Sequence, residues 1–184
     1  MARGRVVTAA DRLFYAHGVH AVGMDAVRAA AEVSLKRIYQ LFPSKDDLVI
    51  GVLHHRTEQW TTGLEAAVGA ATTPRGRLLA VFDYLDAWFR EDDFRGCAFI
   101  NSFGELGASS PAVADVVRTQ KATFQAQLRE RARAAGLPDA VGAQLAILAE
   151  GAQTTAAISG DPAAAGQARD AAELLIDAAL ARRV

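Results

Sequence analysis

Apolar positions follow a helical period through most of the chain, and the pattern is most informative over residues 27–45. Two short stripes of apolar residues there repeat every three to four positions, and Glu32-Val33-Ser34 separates them. Ser34 suits the N-cap of the second stripe, because its side-chain oxygen can accept a free backbone N–H. Pro43 ends that stripe, since the residue before a proline is pushed out of the helical region. The pattern predicts two short helices joined by a tight turn.

The second of these short helices has two different faces. Leu35, Ile38 and Phe42 recur at helical spacing and predict its buried side. The polar residues of the opposite side suit hydrogen bonds to phosphates and to base edges. They are Lys36, Arg37, Tyr39 and Gln40. The arrangement predicts a helix-turn-helix whose second helix enters a major groove; the alternative for these four residues is an ordinary solvated helix face.

Longer helices are predicted for the rest of the chain. Proline is rare, with 5 in 184 residues, and alanine is abundant, which favours an all-α fold. Proline and glycine mark the breaks between segments. About nine helices are expected. Two are the short helices described above, the first of which starts near Met24. The other seven cover about residues 5–17, 45–71, 75–90, 97–107, 111–135, 139–159 and 162–182.

The last two predicted helices, over residues 139–182, are more apolar than a single chain of this length requires. Between Ala143 and Ser159 only Glu150 is charged, and a helix that is apolar nearly all round is buried on more than one side. Pairing of both helices with a second copy across a two-fold axis, as a four-helix bundle, would bury them. We therefore expect a homodimer through residues 139–182.

Two segments carry a resemblance to a known family. Residues 33–48 (VSLKRIYQLFPSKDDL) resemble the recognition-helix signature of the TetR family of one-component bacterial repressors, and residues 9–18 (AADRLFYAHG) are similar to that family's first helix with its closing glycine. The resemblance covers about the first 50 residues. It departs from the family at Glu32, where the turn usually contains a glycine.

The resemblance implies a division of the chain into two domains. Residues 1–47 would form an N-terminal three-helix DNA-binding domain, and residues 48–184 a larger helical domain for ligand binding and dimerisation. The expected partners are a small-molecule effector and a double-stranded DNA operator. A dimer presents two recognition helices to half-sites about 34 Å apart, so the operator should be palindromic.

The candidate DNA contacts extend beyond the second short helix. Arg3 and Arg5 form a basic N-terminal segment that can reach a phosphate or the minor groove, and a disordered tail is the equal alternative. In the family a hydroxyl near the start of the second helix often contacts a phosphate, but here Met24 can offer only its backbone N–H. Lys45 opens the next helix, where free N–H groups also face an anion. The predicted DNA-binding residues are Arg3, Arg5, Met24, Ser34, Lys36, Arg37, Tyr39, Gln40 and Lys45.

The family also implies an effector pocket in the second domain. A mostly apolar lining would favour a hydrophobic or aromatic effector with one or two polar groups. For any one of the candidate aromatic residues, plain core packing is the alternative. The candidate polar residues stand in apolar surroundings, where a buried amide needs a partner that a ligand, another side chain or a helix end can supply. The candidates are Trp60, Phe82, Trp88, Phe89, Phe99, Asn101, Phe103, Phe124, Gln153 and Thr154.

Composition adds little to this picture and excludes several classes. The net charge is −1, but residues 1–50 carry seven Lys and Arg against five Asp and Glu, so the cations of the first domain depend on placement rather than number. The single cysteine, Cys97, forms no intrachain disulfide and is expected to be a buried small residue rather than a redox sensor. No signal peptide and no apolar run long enough to cross a membrane is present, so we expect a cytoplasmic protein.

Enzyme chemistry is not expected. The four histidines have no spacing that suits a metal, and neither a nucleophile–base pair nor a phosphate-binding glycine loop is present. The sequence predicts no cofactor. The leading hypothesis is a ligand-responsive DNA-binding regulator, a repressor that a small hydrophobic effector releases from its operator. The alternative is a helical small-molecule-binding protein without a DNA target.

Overall fold

The computed structural model describes residues 1–182, which form nine α-helices and no strand. The all-α prediction is confirmed. The last two residues of the predicted second domain, 48–184, lie outside the described residues. The helices are α1 (Ala2–His17), α2 (Met24–Ala31), α3 (Leu35–Leu41), α4 (Lys45–Ala70), α5 (Pro74–Phe89), α6 (Ala98–Leu106), α7 (Pro111–Ala134), α8 (Asp139–Ser159) and α9 (Ala163–Ala181).

Most helix ends lie where local chemistry places them. The Thr73 side chain caps α5 by accepting the N–H of Gly76 at 3.0 Å, directly before Pro74. Gly160 ends α8 in the left-handed conformation, with φ of 68°. The clear exception is α1, which begins at Ala2 rather than near Arg5. The first helix therefore starts about three residues earlier than predicted, and of the two alternatives for Arg3 and Arg5 the disordered tail is not found.

The chain packs as two compact units. The first comprises residues 1–59 and 97–119, and the second comprises residues 60–96 and 120–182. The long helices α4 and α7 each contribute to both units. The functional boundary predicted at residue 47 stays a prediction.

The first unit combines a small apolar core with an inward-facing ion pair. Val6, Val27 and Ile38 from the first three helices are fully buried. On α4, Arg56 donates through Nε to Asp11 Oδ1 at 2.5 Å, and its guanidinium lies 3.8 Å from the centre of the Tyr15 ring. Both members of this pair are mostly buried, so the pair joins α1 to α4 through charge as well as packing.

The second unit is organised around α5, which packs against α8 and α9. Apolar side chains along α5 are fully buried, and small residues on α9 let the helices approach closely. At its solvent edge Arg75 bridges to Glu173 and Asp177 on α9, at 2.6 and 2.9 Å.

Cys97, in the first unit, is buried at the start of α6, as predicted. Within residues 1–182, no helix is both long and apolar enough to cross a membrane.

Candidate functional site

Glu32 occupies the turn between α2 and α3 in the left-handed conformation. Its φ and ψ are 53° and 44°, and no other non-glycine residue among residues 1–182 has a positive φ. The Glu32 N–H donates to the carbonyl of Ala29 at 3.4 Å. The chain therefore keeps the backbone geometry that glycine adopts freely, although a side chain there costs about 1–2 kcal/mol.

Helix α3 is anchored by its cap and by its buried face. The Ser34 Oγ accepts the N–H of Arg37 at 3.2 Å, and Ile38 and Phe42 are buried. Gly51 on α4 makes room for the aromatic ring, because a Cβ at that position would lie 2.8 Å from an atom of Phe42. These contacts hold a helix of seven residues that would not be stable in isolation.

The opposite face of α3 presents the predicted DNA-contacting residues to solvent. Lys36, Arg37, Tyr39 and Gln40 are all exposed. Arg37 donates through Nη1 to Gln40 Oε1 at 3.2 Å. This bond uses one acceptor site of the Gln40 oxygen and leaves the two N–H donors of its amide available.

Two further predicted DNA-contacting cations, besides Arg37, have partners within the unit. Arg3 lies in the first turn of α1, where it donates to the Leu41 carbonyl at 3.2 Å and stacks 4.3 Å from the centre of the Phe42 ring. Lys45 donates through Nζ to the carbonyl of Val19 at 2.6 Å. Both contacts stabilise the helix-turn-helix itself. The predicted contacts of Arg3 and Lys45 with DNA stay predictions.

The remaining candidates lie at the edges of α1 and α2. Arg5 is exposed on α1. Met24 begins α2, and Gly23 before it supplies no side-chain cap.

Ser44 and Asp47 form a reciprocal cap at the start of α4, in which the Asp47 carboxylate accepts the Ser44 N–H at 2.9 Å and its hydroxyl at 2.6 Å.

An acidic residue on α6 binds the linker between α1 and α2. The Glu105 carboxylate accepts the N–H of Val19 at 3.1 Å and that of His20 at 2.9 Å. The His20 ring Nε2 also lies 3.1 Å from the Glu105 carbonyl oxygen. This contact could not be predicted from the sequence, because nothing local to Glu105 marks a partner so far away along the chain.

Four aromatic residues meet in the second unit. The Trp60 ring lies edge-on to Tyr84, Trp88 and Phe124, with ring centres 5.2, 5.5 and 5.7 Å apart. We call these four residues the aromatic cluster. Three of them were predicted, and Tyr84 was missed although it lies one helical turn before Trp88. Burial raises the pKa of Tyr84, and the charge of Glu91 raises it further.

The other predicted effector residues are placed differently. Phe82 is fully buried in the core of the second unit, and Phe89 packs against Trp88 and Phe94. Phe99, which is buried, and Phe103, which is 42% exposed, lie with α6 in the first unit.

Two of the three polar effector candidates, Asn101 and Thr154, are exposed rather than buried. Asn101 lines a small pocket of the first unit beside Phe14 and Val52. The predicted contacts of Asn101 and Thr154 with an effector stay predictions.

Thr154 is exposed because it follows Ile147 by two helical turns and so lies on the same outward face of α8. Gln153 is 2% exposed, as predicted, but its amide donates to the Ala149 carbonyl of its own helix at 3.2 Å.

The second unit also has an open groove of about 630 Å³ beside Tyr84. Its charged residues are already paired: Arg75 bridges to α9, and Arg169 donates to Asp83 at 2.7 Å. The charged side chains that line the groove are therefore already in ion pairs with other residues of the protein, and a ligand would have to compete with these partners.

Known proteins resemble this chain in both sequence and structure. Residues 6–52 match the family described as bacterial regulatory proteins, tetR family. A TetR-family transcriptional regulator from Streptomyces coelicolor is 28% identical, with a TM-score of 0.87 over 97% of this chain and 89% of that chain. A protein assigned as a TetR transcriptional regulator from Streptomyces avermitilis is 31% identical, with a TM-score of 0.86 over 97% of this chain and 98% of that chain. The chain belongs to the TetR family.

The curated relative adds a further comparison. The HTH-type transcriptional activator FasR of Mycolicibacterium smegmatis is 34% identical over 117 residues, which are 63% of this chain. The match covers 52% of that relative, so the chain spans about half its length. The TetR family consists of DNA-binding transcriptional regulators rather than enzymes, and membership confirms the resemblance and the helix-turn-helix fold inferred from the sequence.

Proposed function

We propose that this TetR-family protein is a homodimeric repressor that binds a palindromic operator and is released by a small hydrophobic effector. The observation that carries the proposal is the exposed polar face of α3, supported from beneath by Ile38 and Phe42. A short helix presenting two cations, an amide and a phenol on a fixed support has the geometry that reads a major groove.

Specific contacts would come from Arg37 and Gln40, and affinity from the cations. An arginine fork binds the O6 and N7 acceptors of guanine, and the outward amide donors of Gln40 suit base-edge acceptors as well. Lys36 and Tyr39 would bind phosphates. Met24 would contribute its backbone N–H and Ser34 its position at the cap. Because phosphate contacts release counterions, binding should weaken as the salt concentration rises.

The homodimer is supported by apolar residues on the outer faces of α8 and α9. Ile147, Ile158 and Leu174 are 72%, 83% and 73% exposed. Ile147 and Ile158 are three helical turns apart and share one face of α8. Large aliphatic side chains exposed together mark an interaction surface. A second copy packed across a two-fold axis would cover them, and two-fold symmetry matches a palindrome.

Effector release would be a population shift. The protein would have one conformation that fits the operator and another in which the recognition helices are wrongly spaced. An effector that binds the second conformation more tightly lowers the affinity for the operator. The size of the effect is set by the difference between its affinities for the two conformations. Helix α4 is continuous from Lys45, directly after the helix-turn-helix, to Ala70 in the second unit. The aromatic cluster, which includes Trp60 on α4, is the proposed effector site. The function requires a cytoplasmic location, where bacterial DNA lies.

Activation is a second candidate, favoured by the similarity to a relative named as a transcriptional activator. Transcription in vitro from a template that carries the operator separates the two roles. A repressor lowers the amount of transcript as protein is added, and an activator raises it.

Selection from random-sequence double-stranded DNA tests the proposal as a whole. Enrichment of a palindrome with two half-sites about one helical turn apart is expected. If no sequence is enriched, the proposal is overturned in favour of a helical small-molecule-binding protein without a DNA target.

A further inference from the structure

Two buried polar atoms in the second unit lack a hydrogen-bond partner. They are the Nε1 of Trp60 and the Oε1 of Gln120. Among the residues that the structure describes, these are the two buried side-chain nitrogen or oxygen atoms without a hydrogen-bond partner. Buried polar groups in folded proteins are almost always paired, and leaving one unpaired destabilises the folded state. A pair of unpaired atoms in one unit therefore calls for a functional explanation.

Trp60 belongs to the aromatic cluster, and Gln120 lies one helical turn from another of its members. Trp60 is its central member, edge-on to the other three rings. Gln120 lies on α7 one helical turn before Phe124, on the same side of the helix. The four rings of the cluster thus lie near one N–H donor and one amide oxygen that have no partner within the protein.

The chemistry of the two groups limits what can bind them. An indole N–H only donates, so its partner must carry an acceptor. An amide oxygen accepts, so its partner must carry an N–H or O–H. The nearest charged residue on α7 is Lys121, which is paired with Glu150 at 2.7 Å. Glu91, whose charge acts on Tyr84, is exposed to solvent rather than buried with the cluster. A neutral ligand is therefore favoured, because burying a charge without a buried counter-charge is unfavourable.

We infer that Trp60 and Gln120 are the polar anchors of the effector site, and that the effector is a neutral aromatic molecule with an amide-like acceptor and donor. The inference rests on the proposed function, in which the aromatic cluster binds the effector. The rings pack against the apolar body of the ligand, while the indole N–H donates to its carbonyl and the Gln120 oxygen accepts its N–H.

Titration with two matched probes tests the inference. Benzamide has the ring, the carbonyl and the N–H, and toluene has the ring alone. Binding of each is followed by ¹H–¹⁵N NMR of the side-chain indole resonances, of which the chain has 2 because it has 2 tryptophans. Benzamide should shift the Trp60 resonance. The ratio of the toluene Kd to the benzamide Kd should fall about tenfold in Trp60→Phe, which keeps a ring and removes the donor.

Two further variants guard against a misfolded protein and a general effect. Gln120→Leu should lower the same ratio, and Gln125→Leu, a glutamine on another face of α7, should leave it unchanged. An unchanged ratio in both Trp60→Phe and Gln120→Leu, or no binding of benzamide to the wild type, would overturn the inference. Failure to enrich a palindrome would instead overturn the proposed function and leave the probe titration standing.

Discussion

The Glu105 carboxylate accepts the backbone N–H of His20 at 2.9 Å, across 85 residues of chain. The same carboxylate accepts the N–H of Val19 at 3.1 Å. These bonds join α6 to the linker that separates α1 from α2. The position of the helix-turn-helix therefore depends on a residue far outside the N-terminal segment that the family signature covers.

Substitution of Glu105 by alanine should lower the free energy of unfolding by about 1–3 kcal/mol. Two backbone N–H groups would lose their acceptor, and a partly buried unpaired donor is unfavourable. Glu105→Gln, which keeps one acceptor oxygen, should show a smaller loss. Denaturation in urea measures both, with Glu58→Ala, an exposed glutamate on α4, as the control. Equal stability of Glu105→Ala and the control would contradict the assigned role.

Glu32 should be replaceable by glycine with a gain in stability of about 1 kcal/mol, because glycine adopts the left-handed conformation without steric cost. Glu32→Gln keeps the strain and removes the charge, so its stability should not change. If the proposed function holds, both variants should bind operator more tightly, since each removes a negative charge beside α3. Thermal unfolding and DNA titration separate the two effects. A less stable Glu32→Gly would show that the turn is not strained.

The helix pattern could be predicted where local chemistry decides it. Pro74, Ser110 and Gly160 mark their helix boundaries to within a residue or two, because capping and proline geometry act over one turn. The start of α1 was misplaced, because Arg3 is held in the helix by contacts with Leu41 and Phe42. Leu41 is 38 residues away along the chain. Such tertiary contacts leave no periodic trace in the sequence.

The Asp177 carboxyl should titrate at a lower pH than an ordinary aspartate. A hydrogen bond from Arg75 holds the pKa of Asp177 below the ordinary value of an aspartate. A carboxyl with a lowered folded-state pKa stabilises the fold above its unfolded-state pKa, and this contribution is lost as the pH falls through the folded-state value. In Arg75→Ala, NMR titration should show the pKa of Asp177 raised toward the ordinary value of an aspartate.

Asp139 is the internal control for that titration. Its pKa is lowered by a hydrogen bond from Arg133, so Arg75→Ala should leave it unchanged. An Asp177 pKa that does not rise when Arg75 is removed would contradict the assigned cause.

Loss of the exposed apolar face should dissociate the proposed dimer. Ile147→Asp and Leu174→Asp place charges where large aliphatic side chains are exposed in one chain, and together should raise the dimer dissociation constant at least about 30-fold. Sedimentation measures the change against the 19.5 kDa mass of a single chain. Ala122→Asp, at an exposed position on α7, is the control. A double variant that sediments as the wild type does would place the interface elsewhere.

The candidate site divides in the same way between local and distant causes. The polar face of α3 was predictable, because Ser34, Ile38 and Phe42 fix the phase of one short helix. The effector candidates were only partly predictable. Trp60, Trp88 and Phe124 meet in the structure, whereas Phe103 lies in the other unit and Thr154 faces outward. Aromatic residues at helical spacing show that a helix is buried, but not which other helix covers it.

The affinity of Lys36→Ala/Arg37→Ala for the selected palindrome tests the central claim most directly. Fluorescence anisotropy at fixed salt should show at least about a 100-fold loss relative to wild type. Loss of an arginine that binds a base costs about 1–3 kcal/mol in each protomer, and loss of Lys36 removes a phosphate contact in each as well. The control is Arg77→Ala/Arg90→Ala, which removes two exposed cations from the second unit and should bind as the wild type does. Undiminished binding by Lys36→Ala/Arg37→Ala would contradict the assignment of α3 as the element that reads DNA.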